Sequence, residues 1–248
     1  MPRNRPLEPE ERAKLEAETR QIDAHTKRIA LERNVAAEEL VQAQLTTEMK
    51  RMEWAIEDRA YRDTLLSDVY NHLYRFGSDV KEESVKNAVG TLDYWERLAE
   101  VEGEKPKTIE IRITSAGGSS FDGMVLFDRI MEMRNAGFHI TTAAYGLCAS
   151  MACVLLQAGT VRVAHKESWL LIHESQFGVG GKLGDVQDVM NLAQRLDERI
   201  KNIFVHRSKG SKCPQPLSLA IFTRNWKRKD WWLDSDEALR LGVVDEVR

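Results

Sequence analysis

Glycine and proline are spread so unevenly along the 248 residues that they divide the chain before any other feature is considered. All fifteen glycines lie at or beyond Gly77, and Pro2, Pro6 and Pro9 are followed by no further proline until Pro106. Residues 10–76 therefore hold neither helix breaker and are rich in Ala, Glu, Arg, Leu and Gln, which lose little on entering a helix. Leu15, Ile22, Ile29 and Ala36 recur at heptad spacing, and Val41, Leu45, Met49, Met52 and Ile56 continue a helical stripe. Glu18 and His25 interrupt the apolar seam. Residues 1–66 are thus predicted to form a helical extension, one long helix or two, with coiled-coil character. A continuous helix of this size would reach roughly 100 Å at 1.5 Å per residue, too long to pack wholly on a small domain. It must self-associate, bind something or stay partly free; a charged, solvated extension is the alternative.

Residues 67–248 read as a second, α/β domain. Thr108–Thr114 alternates with Ile109, Ile111 and Ile113 on one face, as a strand does. Phe121–Ala136 sets Met124, Phe127, Ile130 and Met131 at helical spacing and stops at Gly137. Strands follow at His139–Tyr145, Val161–Ala164 and Ser168–His173, with a short apolar helix at Ala149–Ala158. Leu183–Ser208 is predicted as a long helix burying Val186, Val189, Met190, Ala193, Leu196, Ile200 and Ile203, and Asp236–Leu241 as a last short one. Strands alternating with crossover helices imply a mostly parallel sheet covered by helices.

Composition narrows the function classes. Lys+Arg 36 against Asp+Glu 39 gives a formal charge of −3, without the basic excess of a nucleic-acid-binding chain. No apolar run approaches the ~20 residues that cross a bilayer, and the charged N-terminus has no apolar signal core. Cys148, Cys153 and Cys213 are too few and badly spaced for a disulfide framework or a zinc site. A soluble, cytoplasmic protein without nucleic-acid or membrane partners, metal or cofactor is expected.

Three places carry chemistry. In Tyr145–Ala152 a strand ends, small residues allow a tight turn, and Ser150 sits at the start of a helix. Ligands of open α/β sheets bind beyond the carboxyl ends of strands, where a helix N-terminus favours negative charge on an attacked oxygen. Ser150 is then a candidate nucleophile and the Met151 amide a candidate oxyanion donor; an ordinary helix-capping serine is the bland reading. The pattern is not the Gly-x-Ser-x-Gly elbow of α/β-hydrolases. In Ser115-Ala116-Gly117-Gly118, paired glycines let backbone amides approach a ligand, and Gly117 is a second candidate oxyanion donor beside a plain turn. His173, at the end of Trp169–Ile172, is placed to act as base for Ser150. A base needs an orienting carboxylate, and Asp230, Asp234 and Asp236 are all available, with Asp236 also readable as a helix cap and Asp234 as a turn residue.

Together these residues resemble the Clp protease proteolytic subunit (ClpP) family of serine peptidases. The similarity lies in Ser115-Ala116-Gly117-Gly118 against Ser-Pro-Gly-Gly, in Gly146 to Met151 against Gly-x-x-Ala-Ser-Met, and in the apolar Val154-Leu155-Leu156. It continues through Leu171-Ile172-His173, through Asp230, Leu233, Glu237 and Ala238, and through Leu241–Asp245; Arg75-Phe76-Gly77 matches an early strand and turn. Coverage runs from about Tyr70 to Arg248. The resemblance implies a ClpP/crotonase-like fold with Ser150 as nucleophile, His173 as general base, Asp230 as its orienting partner, and oxyanion amides at Gly117 and Met151. It implies that Phe177, Gly178, Val179 and Gly180 form an edge strand which, with Gly118, binds an extended peptide, as in β-augmentation. It further implies a heptamer-based ring, a long helix from Leu183 through which rings stack, and an ATP-dependent unfoldase delivering unfolded protein.

Departures bear on partners and preference. Ala116 stands for the usual proline, Glu174-Ser175 for Gln-Pro after the histidine, and Trp231-Trp232 for a smaller pair. The helical extension replaces a short axial loop, which fits a specialised, phage-type member acting in capsid maturation better than one docking an ordinary unfoldase. Two other classes remain open to the sequence: a crotonase-like acyl-CoA enzyme, which uses paired oxyanion amides without a triad, and a non-catalytic scaffold ring whose helical arm binds partners. Apolar residues on Leu183–Ser208 that one copy could not cover argue for a homo-oligomer in each case.

Overall fold

The computed structural model describes residues 8–103 and 108–248; the first seven residues of the predicted extension lie outside them. Two compact units result, Met1–Leu65 and Leu66–Arg248. Helix α1 runs unbroken over Pro9–Leu66 and buries none of its side chains. At 3.6 residues per turn, Leu15, Ile22, Ile29, Ala36 and Leu40 fall on one face, while Val41, Leu45, Met49, Met52 and Ile56 fall about 150° around the axis. The stripe from Val41 to Ile56 thus does not continue the heptad ridge but stands on another face. Among the described residues no helix is long and apolar enough to cross a membrane.

The second unit is a seven-stranded sheet covered by helices. Strands β1 (Leu73–Phe76), β2 (Thr108–Ser115), β3 (His139–Ala149), β4 (Val161–Ala164) and β7 (Glu246–Val247) lie side by side, all parallel. The alternation of β2 buries Ile109, Ile111 and Ile113 in one core with Leu92 and Trp95 of helix α2 (Glu82–Glu102) and Leu126 and Ile130 of α3 (Ser120–Asn135). In α3 the buried stripe is Gly123, Leu126, Ile130 and Met133, with Met124, Phe127 and Met131 at its half-buried flank rather than at its centre. Gly123 belongs to the stripe because the Met151 side chain occupies the space a Cβ would take there, which hydrophobicity alone does not register.

Strand β3 is longer than expected and changes neighbour along its length. Thr141–Ala144 pairs with β4, whereas Leu147–Ala149 pairs with strand β5 (Trp169–Ile172). The register to β2 slips between Ile113↔Ala144 and Ser115↔Cys148, and Gly146 at φ 63° takes the left-handed bend that this requires. Gly146 is therefore the kink inside a strand, not the turn that ends it. Helix α4 (Met151–Leu156) follows, and every residue in it is buried. β5 continues the sheet antiparallel to β6 (Trp231–Leu233).

Helix α5 (Leu183–Lys209) departs from expectation in its first half. Leu196 and Ile200 are buried as predicted, but Val186, Val189, Ala193 and Ile203 are half-buried and Met190 is exposed. The helix meets α4 and α6 (Leu219–Trp226), and its core contacts come from the C-terminal half through Phe204, Val205 and Ser208. The last helix, α7 (Ser235–Arg240), is capped by the Asp234 side chain, which accepts the Glu237 amide at 2.8 Å. Asp234 is thus the cap, and Asp236 a first-turn residue.

The C-terminus is held by one buried ion pair. Arg162, on β4 and 1% exposed, donates through Nε and Nη2 to Asp245 at 2.9 and 2.5 Å, and through Nη1 to Gln157 and the Gly242 carbonyl. Burial opposes ionisation of Asp245, yet the hydrogen bonds and charge of Arg162 outweigh it and hold the carboxyl below its ordinary range. Asp245→Asn leaves a buried guanidinium uncompensated and is expected to cost about 3 kcal/mol in chemical denaturation at pH 7. A depressed native pKa stabilises fully above the unfolded value of about 4 and is lost as pH falls through the native one. The variant's loss relative to wild type should therefore shrink in acid.

Candidate active site

The β3–α4 junction holds Ser150 at φ 55°, ψ −124°, a conformation costly for a residue with a Cβ and maintained by its surroundings. Its amide donates to the Leu171 carbonyl of β5 at 2.8 Å, and its carbonyl accepts from Cys153 at 3.0 Å. Its side chain makes no capping bond and no other hydrogen bond among the described residues. The capping reading of this serine fails on that geometry. The backbone is tied on both sides, and Ser150 lines a cavity of about 330 Å³.

His173 lines the same cavity, as do Met151, Gly118 and, from α5, Ile200 and Phe204. Sequence separation disappears here because β5 is hydrogen-bonded to the end of β3, so the residue after β5 emerges beside the start of α4. The antiparallel rungs Leu170↔Leu233, Leu171↔Trp232 and Ile172↔Trp231 carry the third group. Continuing that register by one residue sets His173 opposite Asp230, and His173 Nδ1 lies 3.6 Å from Asp230 Oδ1. The imidazole side chain is 21% exposed and the carboxylate 64%. Trp231, next to Asp230, stacks edge-on against Phe222, which also contacts Phe204 and Trp226, so an aromatic cluster fixes the start of β6.

The glycine loop differs from expectation. The Gly117 amide donates to Ser115 Oγ at 3.1 Å, and its carbonyl accepts from Val80 at 2.7 Å. Gly117 is absent from the cavity lining, whereas Gly118 is part of it. The Ser119 amide donates to the Val80 carbonyl, so this bridge between residue 80 and the loop leaves the Gly118 amide uncommitted. Ser115 thus claims the Gly117 amide, and the Gly118 amide is the one this loop leaves free toward the cavity. Gly117 instead serves close approach: a Cβ on it would stand 2.6 Å from Ser150 Cβ. Met151, first in α4, presents an amide with no acceptor inside the helix.

Phe177, Gly178, Val179 and Gly180 form no strand in the single chain, and all four are exposed. β5 ends at Ile172 where β6 begins, so residues 173–180 meet no partner strand. Among the described residues no three His, Cys, Asp or Glu side chains gather as a metal cage would need. Cys148 is buried, and its hydrogen bond with Cys153 together with burial pushes its thiol well up, so it is no nucleophile. Two polar groups near the cavity carried no signal of their own in the sequence: Ser115, legible only as part of the glycine loop, and Asp197, which accepts the Ser175 amide at 3.2 Å.

Comparison with known proteins turns this geometry into a family assignment. A family model described as Clp protease matches residues 62–248. The chain belongs to the Clp protease family. It is 30% identical over 187 residues to the ATP-dependent Clp protease proteolytic subunit of Oltmannsiellopsis viridis, covering 73% of this chain and 88% of that protein. The proteins of the same name from Bacteroides fragilis and Bacteroides thetaiotaomicron are each 27% identical over 203 residues, covering 78% of this chain and 89% and 84% of theirs. Membership in the Clp family makes the chain a serine-type peptidase, a hydrolase.

Two measurements follow from the site as built. A Cβ on Gly118 would meet the Val80 carbonyl oxygen at 2.3 Å, so Gly118→Ala must displace the loop. Peptide hydrolysis is expected to fall about 10²-fold, with the far-UV circular dichroism unchanged. Maleimide applied to the native chain should label Cys213 and leave the buried Cys148 and Cys153 intact, as read by peptide mass mapping.

Proposed function

We propose that the chain is a serine endopeptidase in which Ser150, His173 and Asp230 act as the nucleophile, general base and orienting carboxylate. The observation that carries this reading is the meeting of an unbonded Ser150 hydroxyl and His173 in one cavity, with Asp230 3.6 Å behind the imidazole. Because Nδ1 faces Asp230, Nε2 is the nitrogen left to serve the serine. Ser150 Oγ attacks the scissile carbonyl carbon as its proton passes to His173. The developing oxyanion accepts hydrogen bonds from the Met151 and Gly118 amides. The tetrahedral adduct collapses to an acyl-enzyme, and His173 returns the proton to the departing amine. Water, deprotonated by the same imidazole, then releases the acid and frees Ser150. Asp230 holds the imidazole in the useful tautomer and stabilises its charged form; no metal or cofactor enters.

The substrate is an extended, unfolded polypeptide lying along Phe177–Gly180, which becomes a strand when the peptide or a neighbouring copy supplies the missing ladder. The active form is a cytoplasmic homo-oligomeric ring built on heptamers and served by an ATP-dependent unfoldase; the relatives' name, ATP-dependent Clp protease proteolytic subunit, supports the ATP-dependent partner. Exposed apolar residues on α5, among them Leu183, Met190 and Leu192, fit contacts between copies. The arm marks a specialised, phage-type member.

A fluorophosphonate probe should label the wild type and leave Ser150→Ala unlabelled; equal labelling of both, or none of the wild type, overturns the reading. Asp230→Asn is expected to lower kcat about 10²–10⁴-fold. Light scattering should give a ring mass, and a monomer at micromolar concentration would contradict the assembly.

A further inference from the structure

His173 and Asp230 face each other just past the last rung of the β5–β6 ladder, where neither segment is still a strand. Backbone pairing therefore does not hold them. On the Asp230 side the chain leaves α6 through a turn in which Arg228 adopts φ 57°, a left-handed conformation unfavourable for a residue with a Cβ. Such a conformation persists where neighbouring groups enforce it, and one group is visible. Glu174 Oε2 accepts the Arg228 amide at 2.8 Å, across 54 residues of sequence. Glu174 directly follows His173, and Arg228 lies two residues before Asp230, so a single hydrogen bond joins the carrier of the base to the carrier of its partner.

The neighbouring residue adds a second tether. The Ser175 amide donates to Asp197 Oδ1 of α5 at 3.2 Å, a bond that a proline at 175 could not make. Glu174-Ser175, the pair that departs from Gln-Pro, thus anchors the end of β5 both to the Asp230 turn and to α5. The charged and titratable groups lining the hollow beside this contact are His173, Glu174, Arg228, Lys229 and Asp230, and Asp197 of α5 faces the Ser175 amide.

We propose that Glu174 is a positioning residue for the hydrolytic site: its carboxylate supplies the rung that the β5–β6 ladder lacks and keeps the Asp230 turn within reach of the imidazole. The proposal rests on the triad reading given above. Without Glu174 the turn relaxes, and Asp230 draws away from a histidine it does not contact through backbone.

The test is hydrolysis of a short fluorogenic peptide by the full-length assembled chain, with kcat and KM measured separately. Glu174→Ala is expected to lower kcat tenfold or more and leave KM within twofold. Glu174→Gln, whose amide oxygen can accept the same N–H, should stay within threefold of wild type. Wild-type kcat in Glu174→Ala overturns the proposal, as does equal damage in the Gln and Ala variants. Asp230→Asn measured alongside separates the two levels: a crippled Asp230→Asn beside an unaffected Glu174→Ala removes the positioning role alone, whereas wild-type rates in Asp230→Asn remove the triad and the proposal with it. If Glu174→Ala does not assemble, Glu174→Asp, which keeps the charge but shortens its reach, is read in the same way.

Discussion

Strand β3 exchanges one neighbour for another within eleven residues, and the bend at Gly146 that permits this sets the positions of the groups around the cavity. Had β3 stayed beside β4 to its end, β5 would have had no edge to join, and His173 would have emerged away from Ser150. The slip in register against β2 has a second effect: it brings Ser115 level with Cys148, so the glycine loop arrives over the Ser150 turn rather than short of it. The contact is tight enough that Gly117 has no room for a side chain. One backbone distortion thus sets the serine, the amides and the histidine relative to one another.

The polar interior is organised around β4. Arg162 gathers Asp245, Gln157 and two backbone carbonyls, while Arg134 and Arg207 reach the carbonyls of Ala158 and Gly159. Burial, with Arg162 and Arg134 close by, brings Arg207 down to about 10. Three guanidinium groups around one carboxylate do not stabilise by charge alone; they satisfy carbonyls of the α4–β4 turn and the α5 end that water cannot reach. The result is a stiff frame behind α4, against which the strained Ser150 turn is held.

Much of this was legible in residue order. Ile109, Ile111 and Ile113 announced β2, the glycine-free stretch announced α1, and Ser150 and His173 were marked out by standing at the ends of strands. What pattern could not supply was register. On pattern alone Asp230 was one of three equivalent carboxylates; the family resemblance singled it out, and the pairing of β6, a strand of only three residues, with β5 brings it beside His173. Gly117 and Gly118 are interchangeable as letters; the hydroxyl of Ser115 and the backbone of Val80 distinguish them. The seven apolar positions of α5 carry a sound helical period, yet periodicity states which residues share a face and not whether anything in the same chain covers it.

The extension α1 poses a problem in solid geometry. Its apolar residues gather on two faces, one with Leu15, Ile22, Ile29, Trp54 and Tyr61 and one with Leu31, Val41, Leu45, Met49, Met52 and Ile56, turned nearly to opposite sides of a rod about 87 Å long by its rise per residue. A straight companion lying along one flank would dry one ridge and leave the other wet. Nor can a two-fold pair along one seam shelter both, since each member would offer the same side to the other. Full cover takes neighbours on two flanks, each passing the contact onward.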